Sequence, residues 1–188
     1  SLPQETYEVE IDNIIKVKGG SYQAVSMGLV SLLQLMNDQN EIPKVKLNES
    51  PETGYRSLML DLARGWHDMG VLKEIITLCK WYKINYLHLH LTDDQSFTFP
   101  STTYPKLVTE DRSFTLEGLK ELNEYAYQRG VTLVPEIDIP GHSTQFIRKM
   151  PDLFGIGEPS KNSYTISMGK EKVYDALSTI IKEIADVF

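Results

Sequence analysis

Cysteine is almost absent from this sequence, which contains one such residue among 188. A single cysteine cannot form a disulfide within the chain, and it excludes a zinc site built from several cysteines. Cys79 lies among apolar residues at helical spacing. This setting predicts a buried structural thiol rather than a nucleophile.

Basic residues are also scarce. Lys and Arg together number 19 against 26 Asp and Glu, which gives a formal net charge of −7. A nucleic-acid partner normally requires a basic surface, so the charge balance argues against one, whereas a neutral or a cationic small substrate fits it equally well. The hydrophobic share of 41% and the charged share of 24% are close to the globular average, so disorder is not expected.

Long apolar runs are missing, and no signal peptide is recognisable at the N-terminus. We therefore expect no membrane partner. The chain begins with Ser1 rather than methionine, which points to a processed or recombinant form. The compartment therefore cannot be read from this terminus.

The first fifty residues have the pattern of a small α/β segment. Residues 7–11 alternate apolar and polar side chains, and residues 14–18 continue this strand pattern up to a Gly-Gly break. Apolar residues recur at helical intervals over residues 21–36, and a short extended piece follows. This is too little core for a convincing domain alone.

After residue 54, strands alternate with helices. Strand patterns cover residues 58–62, 86–91 and 131–139, and helical patterns cover residues 68–82, 115–130 and about 170–187. Asp68 and Thr115 are the predicted N-caps of the first two helices. The order implies parallel strands with crossover helices. A closed (β/α)8 barrel needs eight such units and about 250 residues, so these three units fit either an open three-stranded layer or a truncated barrel.

The second strand carries an H-x-H pair near its C-terminal end, where the chemistry of a (β/α) barrel lies. His88 and His90 point to the same side of the strand. They could bind a metal, with Asp93 or Asp138 as a further ligand. Because no second ligand cluster is visible, we favour two inward polar residues hydrogen-bonded to carboxylates. Of the adjacent Asp93 and Asp94, one is expected to face the cavity and the other to cap the next turn.

The third strand carries the strongest candidate cluster. Glu136, Asp138 and His142 surround its C-terminal end. Burying two carboxylates is costly unless something pairs with them. A structural role would be an ion-pair network with Arg64 or a histidine, but we favour a cavity that binds a polar ligand and tunes pKa values. Arg64 could hold a ligand's hydroxyls or neutralise Asp61 or Glu136.

Three segments of the chain, taken in order, resemble a known family. They are Tyr55-Arg56-Ser-Leu-Met-Leu-Asp61-Leu-Ala-Arg64, Asn85-Tyr-Leu-His88-Leu-His90-Leu-Thr-Asp93-Asp94-Gln95 and Val134-Pro-Glu136-Ile-Asp138-Ile-Pro-Gly-His142. Together they look like the three successive strand motifs of the β-N-acetylhexosaminidases of glycoside hydrolase family 20. The resemblance implies an α/β fold in which residues 1–50 are the C-terminal part of the α/β domain that precedes the barrel. Residues 51–188 are then the first three β/α units of a truncated (β/α)8 TIM barrel.

The resemblance also implies roles for the matched positions. Arg64 matches the arginine that hydrogen-bonds the outer hydroxyls of the sugar. Asp93 and His142 match the residues that connect by hydrogen bonds to the catalytic acid and help to set its pKa. The implied cavity-lining residues are Glu136, Asp138 and His90. No cofactor and no metal are expected.

The chemistry that the resemblance implies is substrate-assisted, so no enzyme carboxylate acts as the nucleophile. In the family, an aspartate orients the substrate's acetamide and the adjacent glutamate protonates the leaving oxygen. That Asp-Glu pair ends the fourth strand, and no such pair occurs in this sequence. We therefore expect the chain to be a fragment without appreciable hydrolase activity of its own. A smaller departure is that Gly65-Trp66 follows Arg64, where the family usually has a histidine.

Two other functions stay open at this point. One is a non-catalytic carbohydrate-binding or assembly module, and the other is a metal-dependent hydrolase that uses His88 and His90. The expected partner is a glycan that contains N-acetylhexosamine. The open strand edges of a three-unit fragment also predict self-association. For the parent protein, a secreted or periplasmic location is the expectation.

Overall fold

The computed structural model describes residues 2–157 and 164–188, which form an α/β fold. The strands are Tyr7–Ile11 (β1), Ile15–Gly19 (β2), Val45–Glu49 (β3), Ser57–Asp61 (β4), Tyr86–Thr92 (β5) and Thr132–Ile137 (β6). The α-helices are Tyr22–Gln34 (α1), Met69–Trp81 (α2), Leu116–Tyr127 (α3), Thr144–Lys149 (α4), Pro151–Phe154 (α5) and Glu171–Ala185 (α6), and a 3₁₀ turn covers Pro105–Leu107. Within the described residues, no helix combines the length and apolar character needed to cross a membrane.

β1 is the central strand of an antiparallel sheet with the order β2-β1-β3. Val9 lies opposite Val17 on β2 and opposite Leu47 on β3. One face of β1 packs against α1, because its apolar residues alternate with polar ones. The buried residues of this core are Tyr7, Val9, Ile11, Ala24 and Met27. Ser21 caps α1 by accepting a hydrogen bond from the Ala24 N–H at 3.1 Å.

The other sheet has the order β4-β5-β6. Near the start of these strands the Asn85 N–H donates to the Arg56 carbonyl, and the Thr132 N–H donates to the Asn85 carbonyl. At the end of β4 and β5 the Leu62 N–H donates to the His90 carbonyl. These bonds make the strands parallel, with α2 and α3 as the connections. The predicted alternation of strands and helices is confirmed.

Element boundaries differ from the sequence prediction in places. β6 ends at Ile137 rather than 139, because the Asp138 N–H donates to the Thr92 hydroxyl at 3.1 Å instead of to a strand. Asp68 and Thr115 each accept a hydrogen bond from a backbone N–H in the first turn of a helix, as predicted. The sequence pattern does not predict α4, α5 or the 3₁₀ turn, since such short segments show too little periodicity.

The chain divides into two compact units, and each unit consists of three separate stretches of sequence. The first unit contains the N-terminal stretch through Leu58, Leu72–Leu87 and Glu124–Thr132. The second unit contains Met59–Val71, His88–Asn123 and Leu133–Phe188. Cys79 lies in the first unit and is buried, as predicted, and burial raises the pKa of its thiol.

Aromatic residues form part of the core of the second unit. Phe97, Phe146 and Phe154 are buried, and successive ring centroids lie 5.3 and 5.1 Å apart in edge-to-face geometry. Phe97 follows β5, whereas Phe146 belongs to α4, which follows β6. The stack therefore holds the segment after β5 against the helix after β6.

Candidate functional site

Six polar residues predicted from the sequence come together in the second unit, at the C-terminal ends of β4, β5 and β6. They are Arg64, His90, Asp93, Glu136, Asp138 and His142. His90 lies on β5 and Glu136 lies on β6, whereas the other four residues lie in the segments that directly follow β4, β5 and β6. We refer to these six residues together as the polar cluster.

Asp93 is the centre of the polar cluster, and it is only 2% exposed. Its Oδ2 atom accepts hydrogen bonds from the Arg64 guanidinium and from His90 Nε2, the latter at 2.9 Å. The same oxygen lies 3.7 Å from His142 Nδ1. Oδ1 accepts from the Asp94 N–H at 2.6 Å. The cluster thus supplies the partners that a buried carboxylate requires.

Arg64 joins two carboxylates. Its Nη1 atom donates to Asp61 Oδ2 at 2.7 Å, and its Nη2 atom reaches Asp93. Burial alone would raise the pKa of Asp61, but hydrogen bonds from the Arg64 backbone and side chain outweigh it and hold that pKa below its usual value. The structure does not pair Arg64 with Glu136, which the sequence left open as a partner. The Arg64 side chain is 46% exposed, so a ligand can still reach it.

Glu136 faces both imidazoles of β5. Its Oε2 atom lies 2.8 Å from His88 Nε2 and 3.0 Å from His90 Nδ1. Neither contact has the angles of a good hydrogen bond, so His90 Nδ1 and Glu136 Oε2 are buried without a hydrogen-bond partner among the described residues. Leaving buried polar atoms in this state carries a free-energy cost that structural clusters normally avoid.

The charges of the polar cluster raise the pKa values of two histidines. Burial alone would lower the pKa of His90, but its hydrogen bond with Asp93 and the nearby Glu136 carboxylate outweigh this effect. The pKa of His142 is raised mainly by the 2.7 Å hydrogen bond between its Nδ1 atom and Asp138 Oδ2, and then by the charge of Asp93. Both imidazoles are therefore held closer to the protonated state, in which each nitrogen is a donor.

Two groups of donors among the described residues are close enough together to consider for a metal ion. They are His90, Glu136 and Asp138, and Asp93, Asp138 and His142, with donor atoms within 4.8 Å of one another. His88 belongs to neither group, so the H-x-H pair does not form a joint ligand set. Its two histidines instead face carboxylates, which agrees with the favoured interpretation of the sequence.

The sequence predicted that one of the adjacent aspartates faces the cavity and that the other caps the next turn. Asp93 faces the polar cluster, whereas Asp94 caps a helix by accepting the Thr144 N–H at 3.0 Å. The capped helix is α4, which follows β6, and not the turn after β5. Sequence reasoning also misses Gln145, whose amide donates to backbone carbonyls at residues 94 and 95. No side-chain pattern marks such a contact, because its acceptors are main-chain atoms distant in sequence.

The polar cluster lies within the part of the chain that matches a known family. The family profile, described as glycosyl hydrolase family 20, catalytic domain, matches residues 54–188. A beta-hexosaminidase of Vibrio furnissii is 28% identical over 221 residues, which cover 100% of this chain and 36% of the relative. A beta-hexosaminidase of Akkermansia muciniphila is 30% identical over 177 residues, which cover 82% of this chain and 36% of the relative.

Solved structures are similar as well. A GH20 exo-β-N-acetylglucosaminidase from Vibrio harveyi, solved in complex with N-acetylglucosamine, has a TM-score of 0.87 at 26% identity and covers 100% of this chain and 35% of its own. A β-N-acetylhexosaminidase from Bacteroides fragilis has a TM-score of 0.87 at 28% identity. The match covers 100% of this chain and 41% of the Bacteroides fragilis chain. This chain therefore spans about a third of the length of the curated relatives that it matches.

Proposed function

The chain belongs to glycosyl hydrolase family 20, and from this premise we propose that it is the N-terminal part of the catalytic region of a β-N-acetylhexosaminidase. The proposed substrate is a glycan that ends in N-acetylglucosamine or N-acetylgalactosamine. Residues 51–188 then supply the first three β/α units of a (β/α)8 barrel. Residues 1–50 are the C-terminal part of the α/β domain before it.

The observation that carries this proposal is the hydrogen bonding around Asp93. A buried carboxylate that holds an arginine and a histidine, with a second histidine 3.7 Å away, provides a charged support at the strand ends. Strand ends are where (β/α) barrels place their chemistry. In this proposal the exposed part of Arg64 binds the outer hydroxyls of the sugar. Asp93 and His142 help to set the pKa of the proton donor.

The proposed reaction is retaining and substrate-assisted. The acetamido oxygen of the sugar attacks C1 while the bond from C1 to the glycosidic oxygen breaks, and a glutamic acid gives its proton to the leaving oxygen. Water then attacks C1, the bond from C1 to the acetamido oxygen breaks so that the acetamide is restored, and the same glutamate takes the proton from that water. Glu136, Asp138 and His90 line the cavity and do not form a covalent bond with the substrate.

The proton donor of this scheme is the glutamic acid of an Asp-Glu pair, and the 188 residues contain no Asp followed directly by Glu. We therefore expect no turnover of 4-nitrophenyl N-acetyl-β-D-glucosaminide by this chain alone, and release of 4-nitrophenol by the parent protein. Turnover by the purified chain would contradict the assignment of the proton donor to residues outside it.

A matched substrate tests the chemistry of the parent protein. 4-Nitrophenyl β-D-glucoside has a hydroxyl in place of the acetamide, so a substrate-assisted enzyme should leave it almost uncleaved. Equal cleavage of both substrates would overturn the mechanism. Calorimetric binding of N-acetylglucosamine without any cleavage by the parent would instead indicate a carbohydrate-binding module.

A further inference from the structure

The segments that follow β5 and β6 are joined by hydrogen bonds that the proposed chemistry does not use. Asp94 Oδ1 accepts from the Thr144 N–H at 3.0 Å and from the Thr144 hydroxyl at 2.5 Å. The Gln145 Nε2 atom donates to the Asp94 and Gln95 carbonyls, each at 2.9 Å. We call Asp94, Gln95, Thr144 and Gln145 the loop clamp.

The Gln145 donor of the loop clamp is buried, whereas Gln95 is exposed and Asp94 is half-buried. Gln145 is 5% exposed, and its neighbour Ser143 is fully buried. Both hydrogens of the Gln145 amide are used, one on each carbonyl. Breaking these bonds would leave the buried Gln145 amide without its two acceptors, which carries a free-energy cost. The two segments are thus held in one register.

The register matters because the clamp adjoins two residues of the polar cluster. Asp93 directly precedes Asp94, and His142 lies three residues before Gln145. His142 has a positive φ of 49°, a conformation that a non-glycine residue keeps only when its surroundings hold it. The 3.7 Å separation between Asp93 and His142 depends on how these two segments are joined.

We propose that Gln145, assisted by Thr144, is a positioning residue that sets the distance between Asp93 and His142. It touches neither the substrate nor His142, and it acts through the backbone of both segments. The inference rests on the proposed function where it concerns catalysis. The claim about the distance between Asp93 and His142 does not depend on the proposed function, because both residues belong to this chain.

Nitrogen-detected NMR titration of the 188-residue chain tests the claim about this distance. The pKa of His142 is raised first by Asp138 on its own segment and then by Asp93 and Asp94 on the other segment, so the part of the shift due to Asp93 and Asp94 reports the distance between the two segments. In Gln145→Leu, we expect the titration midpoint of His142 to fall toward the value of free histidine, about 6.5, while the midpoint of His90 changes little. The matched control is Gln128→Leu, which removes an exposed amide bonded to Glu124 and should change neither.

An unchanged His142 midpoint in folded Gln145→Leu would overturn the proposal. If that variant does not fold, Thr144→Val decides instead, because it keeps the backbone bond to Asp94 and loses only the hydroxyl. A smaller fall of the His142 midpoint supports the proposal, and no fall contradicts it.

Kinetics of the parent protein test the catalytic part separately. Gln145→Leu should lower kcat by up to about 100-fold with little change in KM, and shift the pH profile, while Gln128→Leu resembles the wild type. A rise in KM alone would contradict a positioning role. If the parent cleaves no hexosaminide, the proposed function fails, and the NMR result still decides the positioning of His142.

Discussion

Two clusters of charged residues, one in each compact unit, use similar side chains in different ways. In the first unit, the Lys83 ammonium donates to Tyr7 Oη at 2.8 Å, Ser31 Oγ at 2.7 Å and Glu49 Oε2 at 3.0 Å. All three of its hydrogens therefore have an acceptor. Tyr7 also donates to Glu49. This closed network leaves no donor of Lys83 for a ligand.

The polar cluster of the second unit is not closed in this way. Three cationic or imidazole groups surround one oxygen of Asp93, while His90 Nδ1 and Glu136 Oε2 lack hydrogen-bond partners. Most buried polar atoms in folded proteins have a hydrogen-bond partner, so an exception calls for an explanation, and a place in a functional site is one such explanation. Charge alone therefore does not distinguish the polar cluster from the Lys83 network. The two clusters differ in whether all of their buried polar atoms have hydrogen-bond partners.

The largest effect that we expect concerns the polar cluster and its role in catalysis. In the parent enzyme, Asp93→Asn should lower kcat/KM by at least about 100-fold, because the carboxylate that supports His142 and Arg64 is lost. The matched change in the closed network, Glu49→Gln, should leave kcat/KM within about twofold. Similar losses in both variants would remove the functional distinction between the two clusters.

If the Lys83 network has only a structural role, disrupting it should lower the stability of the chain and leave the kinetics of the parent unchanged. Lys83→Met removes three hydrogen bonds and should lower the free energy of unfolding by about 1–2 kcal/mol, discounted for the partial exposure of Lys83 and Glu49. Urea denaturation of the chain measures this change. A double-mutant cycle with Glu49→Gln should show coupling, and additive effects would mean that the network is not a unit.

The pH dependence of stability should have opposite signs in the two clusters. Burial alone would raise the pKa of Glu49, but hydrogen bonds from Tyr7 and Lys83 lower it. Its stabilisation is therefore present above its unfolded value of about 4.3 and is lost as pH falls through the folded pKa. The folded pKa of His90 is raised, so its stabilisation is present below about 6.5 and is lost as pH rises through the folded pKa.

Urea denaturation from about pH 2 to about pH 9 checks both signs, because the loss that involves Glu49 falls below its unfolded value of about 4.3. Glu49→Gln should flatten only the acidic decline, and His90→Gln only the decline toward alkaline pH. A variant that flattens the opposite side would show that its pKa shift has been assigned the wrong direction.

The smallest expected effect concerns the sheet edges. Lys16 and Lys18 place exposed charges on β2, whereas β4 exposes Leu58 at 41% and Met59 at 53%. Charged edges resist pairing between chains, and apolar edges invite it. We expect this chain to self-associate weakly, as the sequence predicts, and Met59→Lys to reduce the association in light scattering. A clean wild-type monomer would contradict the expectation.

Much of the fold and part of the site follow from sequence patterns. The parallel strands and their helices were predictable because the periods of strands and helices are local properties of the chain. The residues of the polar cluster were predictable because each stands at a strand end. For Arg64 the sequence offered Asp61 or Glu136 as the ion-pair partner, could not choose between them, and did not point to Asp93. Three-dimensional distance alone selects Asp61 and Asp93.

The residues near the N-terminus illustrate the same limit. The sequence predicts Tyr7 as a buried strand residue, and it is buried. Nothing in the local pattern links it to Lys83, which lies 76 positions later. Lys83 also has a positive φ of 55°, where a glycine would be expected. Its three hydrogen bonds offer a physical reason for a lysine there.

Composition and local periodicity specify the α/β alternation, the acidic charge, the buried thiol and the positions of the polar cluster near the strand ends. Each of these depends on composition or on periodicities of a few residues. Only the tertiary structure decided that Asp93 faces the cluster while Asp94 caps α4, and that Gln145 joins the two segments. Those choices depend on contacts between residues about 50 positions apart, and such distances are fixed when the strands pair and the core packs.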